Sequence, residues 1–454
     1  METRDLSRIV KAYDVRGLVP EQFDEQIARD LGAAFAQLVS SPAVVTAHDM
    51  RESSVPLSRA FAEGVLSQGV DVVETGLGST DMLYFASGSL DLPGAMFTAS
   101  HNPAQYNGIK LCRAGAAPIG ADTGLLEIQR VAEAGPVQPR HRLGEACTQY
   151  MLGPYADFLR DLVDLRANRE LTVVVDAGNG MGGYTVPAVL RDLPLTVIPM
   201  YFELDGNFPN HEANPLDPAN LVDLQAKVRE VGADIGLAFD GDADRCFVID
   251  ERGEPFSPSA VTALIAAREL ARHPGEVIIH NLITSRAVPE IVTEHGGRPV
   301  RTRVGHSYIK AEMARTNAVF GGEHSAHYYF REFWRADTGM LAALHVLGAL
   351  GEQASPLSEL GAAFERYAGS GEINSTVDDP GERAAAVEKV FADRPEAKID
   401  RLDGLTISFP DGSWFNLRAS NTEPLLRLNV EGQEVSRMQE LRDEVLEVVR
   451  DRTV

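Results

Sequence analysis

The chain has 454 residues, 44% of them hydrophobic and 24% charged, with 66 acidic against 42 basic side chains and a formal net charge of −24. The composition is that of a globular protein, and at roughly 150 residues per domain the length suggests about three domains. So large an acidic excess argues against nucleic acid or an anionic membrane as partner, because both carry dense negative charge, yet it leaves room for a small phosphorylated ligand wherever basic residues gather.

Helical and strand periods alternate from about residue 20. Phe23, Ile27, Leu31, Phe35 and Leu38 predict a helix, Ala43–Thr46 a buried strand, Leu57–Val65 a second helix and Val70–Val73 a second strand. A helix over 80–88 and a strand over 94–98 follow. The alternation returns at 171–240 and at 257–325, as in α/β units around largely parallel or mixed sheets. Met340–Leu350 is the most apolar helix candidate, about half a membrane-spanning length. The last stretch differs: strands at 404–409, 413–418 and 425–430 are separated by tight turns and followed by an amphipathic helix, which reads as α+β with an antiparallel sheet. Breaks near 135–154, 251–255 and 354–374 therefore favour four domains over three. Cys112, Cys147 and Cys246 form no close pair, which suits a reducing, cytoplasmic compartment and gives no zinc-ligand set. The N-terminus carries no signal-like apolar stretch.

Five segments carry chemistry. Thr98-Ala-Ser100-His101-Asn102-Pro103 to Lys110 puts a hydroxyl, an imidazole and an amine behind an apolar strand, where α/β folds place ligands; alone it is also a plain Asn-Pro turn. Asp240-Gly-Asp242-Ala-Asp244-Arg245 offers three carboxylates at alternate positions to a hard cation such as Mg²⁺. An EF-hand is excluded there, since Arg245 stands where that loop needs glycine and both flanks are strands. Gly178-Asn-Gly180-Met-Gly182-Gly183 follows a strand and satisfies a dinucleotide-binding pattern, with Glu203 about twenty residues on; it supports an NAD-dependent dehydrogenase or a tight turn. Glu323, Ser325 and His327 alternate off a strand and offer partners for sugar hydroxyls, or form a polar strand end with a solvated histidine. Arg418-Ala-Ser420-Asn421-Thr422, followed by Arg427, forms a phosphate cradle or a simple hairpin turn.

Together with Lys11-Ala-Tyr13-Asp14-Val-Arg16-Gly17, these segments give the chain an end-to-end resemblance to the α-D-phosphohexomutase family, in its phosphomannomutase/phosphoglucomutase branch. The motifs stand in that family's order and spacing. The resemblance implies three similar α/β domains with mixed sheets (1–147, 148–253 and 254–360) and a C-terminal α+β domain (361–454) around one cleft. It implies an isomerase-class intramolecular phosphotransferase in which Ser100 is a phosphoserine and Mg²⁺ is held by Asp240, Asp242, Asp244 and a phosphoserine oxygen. Arg16 and Arg245 would steady the moving phosphoryl group, His101 would sit beside it, and Lys110 and His327 would transfer protons. Tyr13, His306, Glu323 and Ser325 would bind the sugar, and Arg418, Ser420, Asn421, Thr422 and Arg427 the phosphate that stays.

The implied reaction converts hexose 1-phosphate and hexose 6-phosphate through a hexose 1,6-bisphosphate, which also serves as activator. Mannose is the expected sugar, with glucose activity beside it; phosphoglucosamine mutase of the same family and the dehydrogenase are the alternatives. The partner is a small hexose phosphate, with no obligate protein partner, no nucleic acid and no membrane. Two positions depart from the family pattern: Ala326, where glycine is usual, and Leu282, where related mutases place a substrate-contacting lysine.

Overall fold

A computed structural model describes residues 5–135, 137–419 and 425–451. The chain builds four sheets. The first contains the parallel strands Asp71–Leu77, Ala43–His48 and Gly94–Phe97, continued antiparallel by Tyr106–Arg113 and Val15–Leu18, with Ala146–Thr148 at the far edge. The second runs Leu195–Met200, Leu171–Asp176, Ile235–Phe239, Cys246–Asp250 and Pro255–Phe256; the first three are parallel and the last two antiparallel. The third repeats this with Arg298–Thr302, Val277–Asn281, Phe320–Gly322, Tyr328–Phe330 and Ala336–Asp337.

One path is thus used three times. The chain forms a central strand, crosses over by a helix to its outer neighbour, returns on the other side, and doubles back as an antiparallel strand. In each case the connection into that antiparallel strand is a polar motif: 98–105, 240–245 and 323–327. The fourth sheet is wholly antiparallel, in the order Ala368–Thr376, Leu425–Gly432, Trp414–Ala419, Leu405–Ser408 and Lys398–Asp400.

Capping explains the helix starts. Asp24, Ser79, Ser257 and Thr338 each accept a backbone N–H of the first turn of their helices, Glu25–Val39, Thr80–Leu90, Pro258–Arg272 and Gly339–Gly351. The apolar 340–350 segment is the buried helix Gly339–Gly351, packed inside the protein, and no described helix is long and apolar enough to cross a membrane. One apolar core runs through three sheets, joining Met82 and Met96 to Val173, Leu237, Leu264 and Phe320, while the C-terminal sheet has its own core around Phe391, Phe415, Leu428 and Leu441.

Three elements depart from the sequence reading. Tyr106–Lys110, taken with the polar loop, begins the strand Tyr106–Arg113, whose Ile109 and Leu111 are buried. The strand Ala368–Thr376 and the helix Pro380–Phe391 occupy a stretch with no predicted element. That strand reads AGSGEINST and is largely exposed, so it lacks the apolar alternation that marks a strand.

Candidate active site

The three polar connections meet. Ser100 lies at the carboxyl end of its strand with φ +50°, a left-handed conformation, and its hydroxyl donates to Asp240 Oδ2 at 2.9 Å. Arg245 Nη2 donates to the same hydroxyl at 3.2 Å, and Arg245 Nε lies 3.1 Å from Asp240 Oδ2. The approach needs a glycine: a Cβ on Gly241 would stand 2.3 Å from the Ser100 carbonyl oxygen. Arg245 Nη2 also donates to His101 Nδ1, which must therefore accept, leaving the ring proton on Nε2. Burial, with the charge of Arg245, pushes the His101 imidazole well below its usual range, so it is neutral at pH 7.

Arg51 shapes the serine loop. Its side chain is buried, and it donates to the carbonyls of Ser100 (2.9 Å), Asn102 (2.7 Å), Pro103 (2.9 Å) and Tyr106 (3.1 Å). Asp49 Oδ2 lies 3.3 Å from its Nε, and its guanidinium sits 5.0 Å over the Phe208 ring. Arg16 closes the other side, donating to Asn102 Oδ1 and to Asp14 Oδ2, each at 2.5 Å.

The acidic loop is buried, with Asp240, Asp242 and Asp244 at most 1% exposed, and its carboxylates converge. Lys110 Nζ donates to Asp242 Oδ2 at 2.7 Å and to Asp244 Oδ2 at 2.5 Å, while Thr80 Oγ1 donates to Asp242 Oδ2 at 2.5 Å. Asp242 Oδ1 and Asp244 Oδ1 have no hydrogen-bond partner among the described residues although both are buried. Two orphaned carboxylate oxygens beside a third carboxylate fit a hard divalent cation. Burial, reinforced by Asp244, pushes the Asp240 carboxyl well above its ordinary range; for Asp242 the cost of burial is outweighed by Lys110, which holds it low. Lys110 is correspondingly raised by Asp242 and Asp244 despite burial, and is a firm cation.

Sequence alternation from Phe320–Gly322 does not continue into Glu323–His327. That segment is a turn, closed by Ala326 N to Glu323 O (3.1 Å) and Glu323 N to His327 O (3.0 Å), with Ala326 at φ +63°. Glu323 is 2% exposed and accepts from Asn281 Nδ2 (3.2 Å), Gly305 N (3.2 Å) and Tyr329 OH (2.6 Å). His327 Nδ1 lies 3.1 Å from Ser325 Oγ, and its Nε2 is 3.6 Å from Asp244 and 3.9 Å from Asp337. Lys310 pairs with Asp337 at 2.7 Å. The His306 ring meets Tyr13 edge-on at 4.7 Å, and burial holds His306 down at about 3, as a neutral ring.

Arg418 and Arg427 are paired across adjacent strands of the fourth sheet, both near Glu372, at 3.7 and 3.4 Å. Arg418 also lies 3.7 Å from Asp403, whose carboxylate accepts Val304 N at 3.1 Å and so ties the arginine pair to the loop before His306. The Nε atoms of Arg16, Arg418 and Arg427 are buried with no hydrogen-bond partner among the described residues. Ser420, Asn421 and Thr422 lie outside the described residues. In the glycine turn Gly178–Gly183, Met181 N donates to Gly241 O at 2.9 Å, and a Cβ on Gly180 would stand 2.7 Å from that oxygen. The turn is a seat for the acidic loop.

Sequence reasoning gave no role to Asp49, Arg51, Thr80, Asn281, Lys310, Tyr329, Asp337 or Asp403. Asp49–Arg51, Thr80 and Asn281 all lie at or just beyond carboxyl ends of parallel strands, so the position rule for open α/β sheets was the available signal. Leu282, at one of the two departures, is 4% exposed and packed inside.

Three α/β domains whose polar loops meet, and a fourth antiparallel one whose Arg418 lies beside the Asp403 that accepts Val304 N, define a four-domain α/β enzyme. Four family models match in order: phosphoglucomutase/phosphomannomutase α/β/α domains I (residues 7–136), II (153–253) and III (258–367), and the C-terminal domain (372–448). A phosphomannomutase of Salmonella typhimurium is 41% identical over 433 residues, 93% of this chain and 94% of that protein. Phosphohexose mutases of Xanthomonas campestris are 40% identical over 424 residues, with the same coverage. A crystal structure of a phosphoglucomutase/phosphomannomutase family protein from Burkholderia thailandensis superposes with a TM-score of 0.88 at 31% identity, covering 98% of each chain. The chain belongs to the α-D-phosphohexomutase family, in its phosphomannomutase/phosphoglucomutase branch, and is a mutase of the isomerase class.

Proposed function

We propose that the protein interconverts hexose 1-phosphate and hexose 6-phosphate, with mannose as the preferred sugar and glucose as a second substrate, through a phosphorylated Ser100 and a hexose 1,6-bisphosphate. The observation that carries this reading is the convergence on one serine hydroxyl of Asp240 and Arg245 from a different domain. The relatives named as phosphomannomutase and as phosphohexose mutases support the sugar class.

Asp240, Asp242 and Asp244, with a phosphoserine oxygen, would hold Mg²⁺, which supplies positive charge against the phosphoryl oxygens. Arg245 and Arg16 flank the serine loop and offset charge as the Oγ–P bond breaks and a bond from phosphorus to a sugar oxygen forms. While Lys110 is paired with two carboxylates it is a cation, suited to steadying the phosphoryl group rather than to taking a proton. His327 stands beside Ser325 and Asp244, where it can take the proton of the attacking sugar hydroxyl. Glu323, Ser325, Tyr13 and His306 form the sugar side, and Arg418, Arg427, Ser420, Asn421 and Thr422 hold the phosphate that is not transferred. The bisphosphate must turn end for end, so both phosphates use the same cradle, and free bisphosphate rephosphorylates Ser100 and acts as activator. The sparse, unpaired cysteines favour a cytoplasmic setting.

The test is Ser100→Ala with bisphosphate and Mg²⁺ present. Steady turnover of mannose 1-phosphate is expected to vanish, and intact mass to show one phosphoryl group on the parent and none on the variant. Normal turnover by the variant would overturn the reading. Comparing kcat/KM for mannose, glucose and glucosamine phosphates decides the sugar.

A further inference from the structure

We propose that Thr80 is a positioning residue for the metal-binding carboxylate Asp242, acting from a different domain. The inference rests on the reading above that Asp240, Asp242 and Asp244 hold a divalent cation. Asp242 has two carboxylate oxygens with different fates. Oδ2 accepts from Thr80 Oγ1 at 2.5 Å and from Lys110 Nζ at 2.7 Å, whereas Oδ1 is buried and accepts from none of the described residues. Two donors on one oxygen fix the plane of the carboxylate and leave the other oxygen without a hydrogen-bond partner among the described residues, as Asp244 Oδ1 also is, in a cluster where the three carboxylates converge. Groups that orient a metal's ligands set affinity although they never touch the ion.

Thr80 is held as firmly as the group it orients. It is fully buried and opens the helix Thr80–Leu90, and its backbone N–H donates to the Asp242 carbonyl at 3.0 Å, so main chain and side chain grip the same residue. The next residue, Asp81, is a joint between domains: it accepts from Ser79 Oγ, from Tyr155 OH at 2.6 Å and from Thr338 Oγ1 at 2.7 Å. Tyr155 lies on the helix Leu152–Leu162 of the second domain, and Thr338 caps the helix Gly339–Gly351 of the third. Gly339 in turn packs on the Arg245 backbone, where a Cβ would stand 2.6 Å from the carbonyl carbon. Ser79-Thr80-Asp81 therefore sets the serine-bearing domain against the acidic loop and the third domain at once, and Thr80 turns that alignment into the orientation of one carboxylate.

The test uses the full-length protein and Mn²⁺ as probe, with bound ion measured by the loss of the free-Mn²⁺ paramagnetic resonance signal. Thr80→Val keeps the shape and removes the hydroxyl; Thr80→Ser restores it. We expect Thr80→Val to weaken Mn²⁺ binding about tenfold, to raise the Mg²⁺ concentration for half-maximal mutase activity by a similar factor, and Thr80→Ser to return both to within about twofold of the parent. Equal Mn²⁺ affinity in Thr80→Val and the parent, or a serine variant as weak as the valine, overturns the inference while leaving the metal reading intact. A parent protein that binds no Mn²⁺, like an Asp242→Asn control, overturns the metal reading itself and the inference with it.

Discussion

Ala326 is fully buried at φ +63°, where an L side chain is strained. Glycine would relieve about 1 kcal/mol of that strain, but the change removes a buried methyl worth about 0.8 kcal/mol and loosens the unfolded chain by about 0.4–1 kcal/mol. The terms nearly cancel, so Ala326→Gly is expected to shift unfolding stability by less than about 1 kcal/mol, measured by urea titration. A loss of several kcal/mol would mean the methyl packs more tightly than these terms allow. At this scale the site was partly legible in the sequence. Ser100, Asp240 and Arg245 stand in dense polar runs behind apolar strands, and such runs are rare enough to notice. Arg51 and Thr80 serve the same site from Asp-Met-Arg and Ser-Thr-Asp, which are ordinary surface sequences until folding buries them.

The element that holds the serine is a loop with little regular hydrogen bonding of its own, rigid because one guanidinium serves four of its carbonyls. Lysine has three donors on a flexible stem and cannot reproduce that planar fork. Arg51→Lys is expected to lose at least 2 kcal/mol of stability and most of the kcat, with faster proteolytic cleavage near 100–106; unchanged cleavage would show that the loop is fixed by something else. The helix opening at Thr80 gives a pH prediction. Burial pushes the Asp81 carboxyl from 3.8 up to about 6, against its three hydrogen bonds. The folded chain then keeps a proton that the unfolded chain has released, so the stabilisation this group gives is full below about pH 3.8 and lost as pH rises through about 6. Relative to the parent, Asp81→Asn should therefore gain about 2–3 kcal/mol between pH 4 and pH 7, read from urea midpoints at each pH; a pH-independent difference would contradict this account. The strands and helices around these loops were readable from period alone, but the edge strand Ala368–Thr376 was not, because an edge strand facing solvent has no apolar face to announce it.

Across the whole molecule, the division of the core has a measurable outcome. The C-terminal sheet meets the third domain mainly through polar contacts, such as Arg286 N to Glu431 (3.0 Å), Val304 N to Asp403 (3.1 Å) and the Arg301–Asp400 ion pair, while its apolar cluster stays separate. The chain's two tryptophans fall on opposite sides of that division, Trp334 packed against the large core and Trp414 within the C-terminal sheet. Trp334→Phe and Trp414→Phe variants should therefore report separate fluorescence transitions in urea, that of Trp414 first, since the smaller unit buries less apolar surface. Coincident transitions would show that the two units unfold as one. The composition gave no warning of the basic residues in the site, because the net charge of −24 averages over the whole surface while Arg16, Lys110 and Arg245 gather on the serine loop and the acidic loop. The strand path repeated in the first three domains bears on ancestry. Tandem copying of one ancestral unit accounts for three identical routes through the sheet, and the chain keeps the copies' backbone while their loops carry a serine, three aspartates and a glutamate–histidine turn. Descent by duplication followed by specialisation would leave this record: a repeat plain in the topology and kept in the letters only as a returning alternation of helix and strand periods.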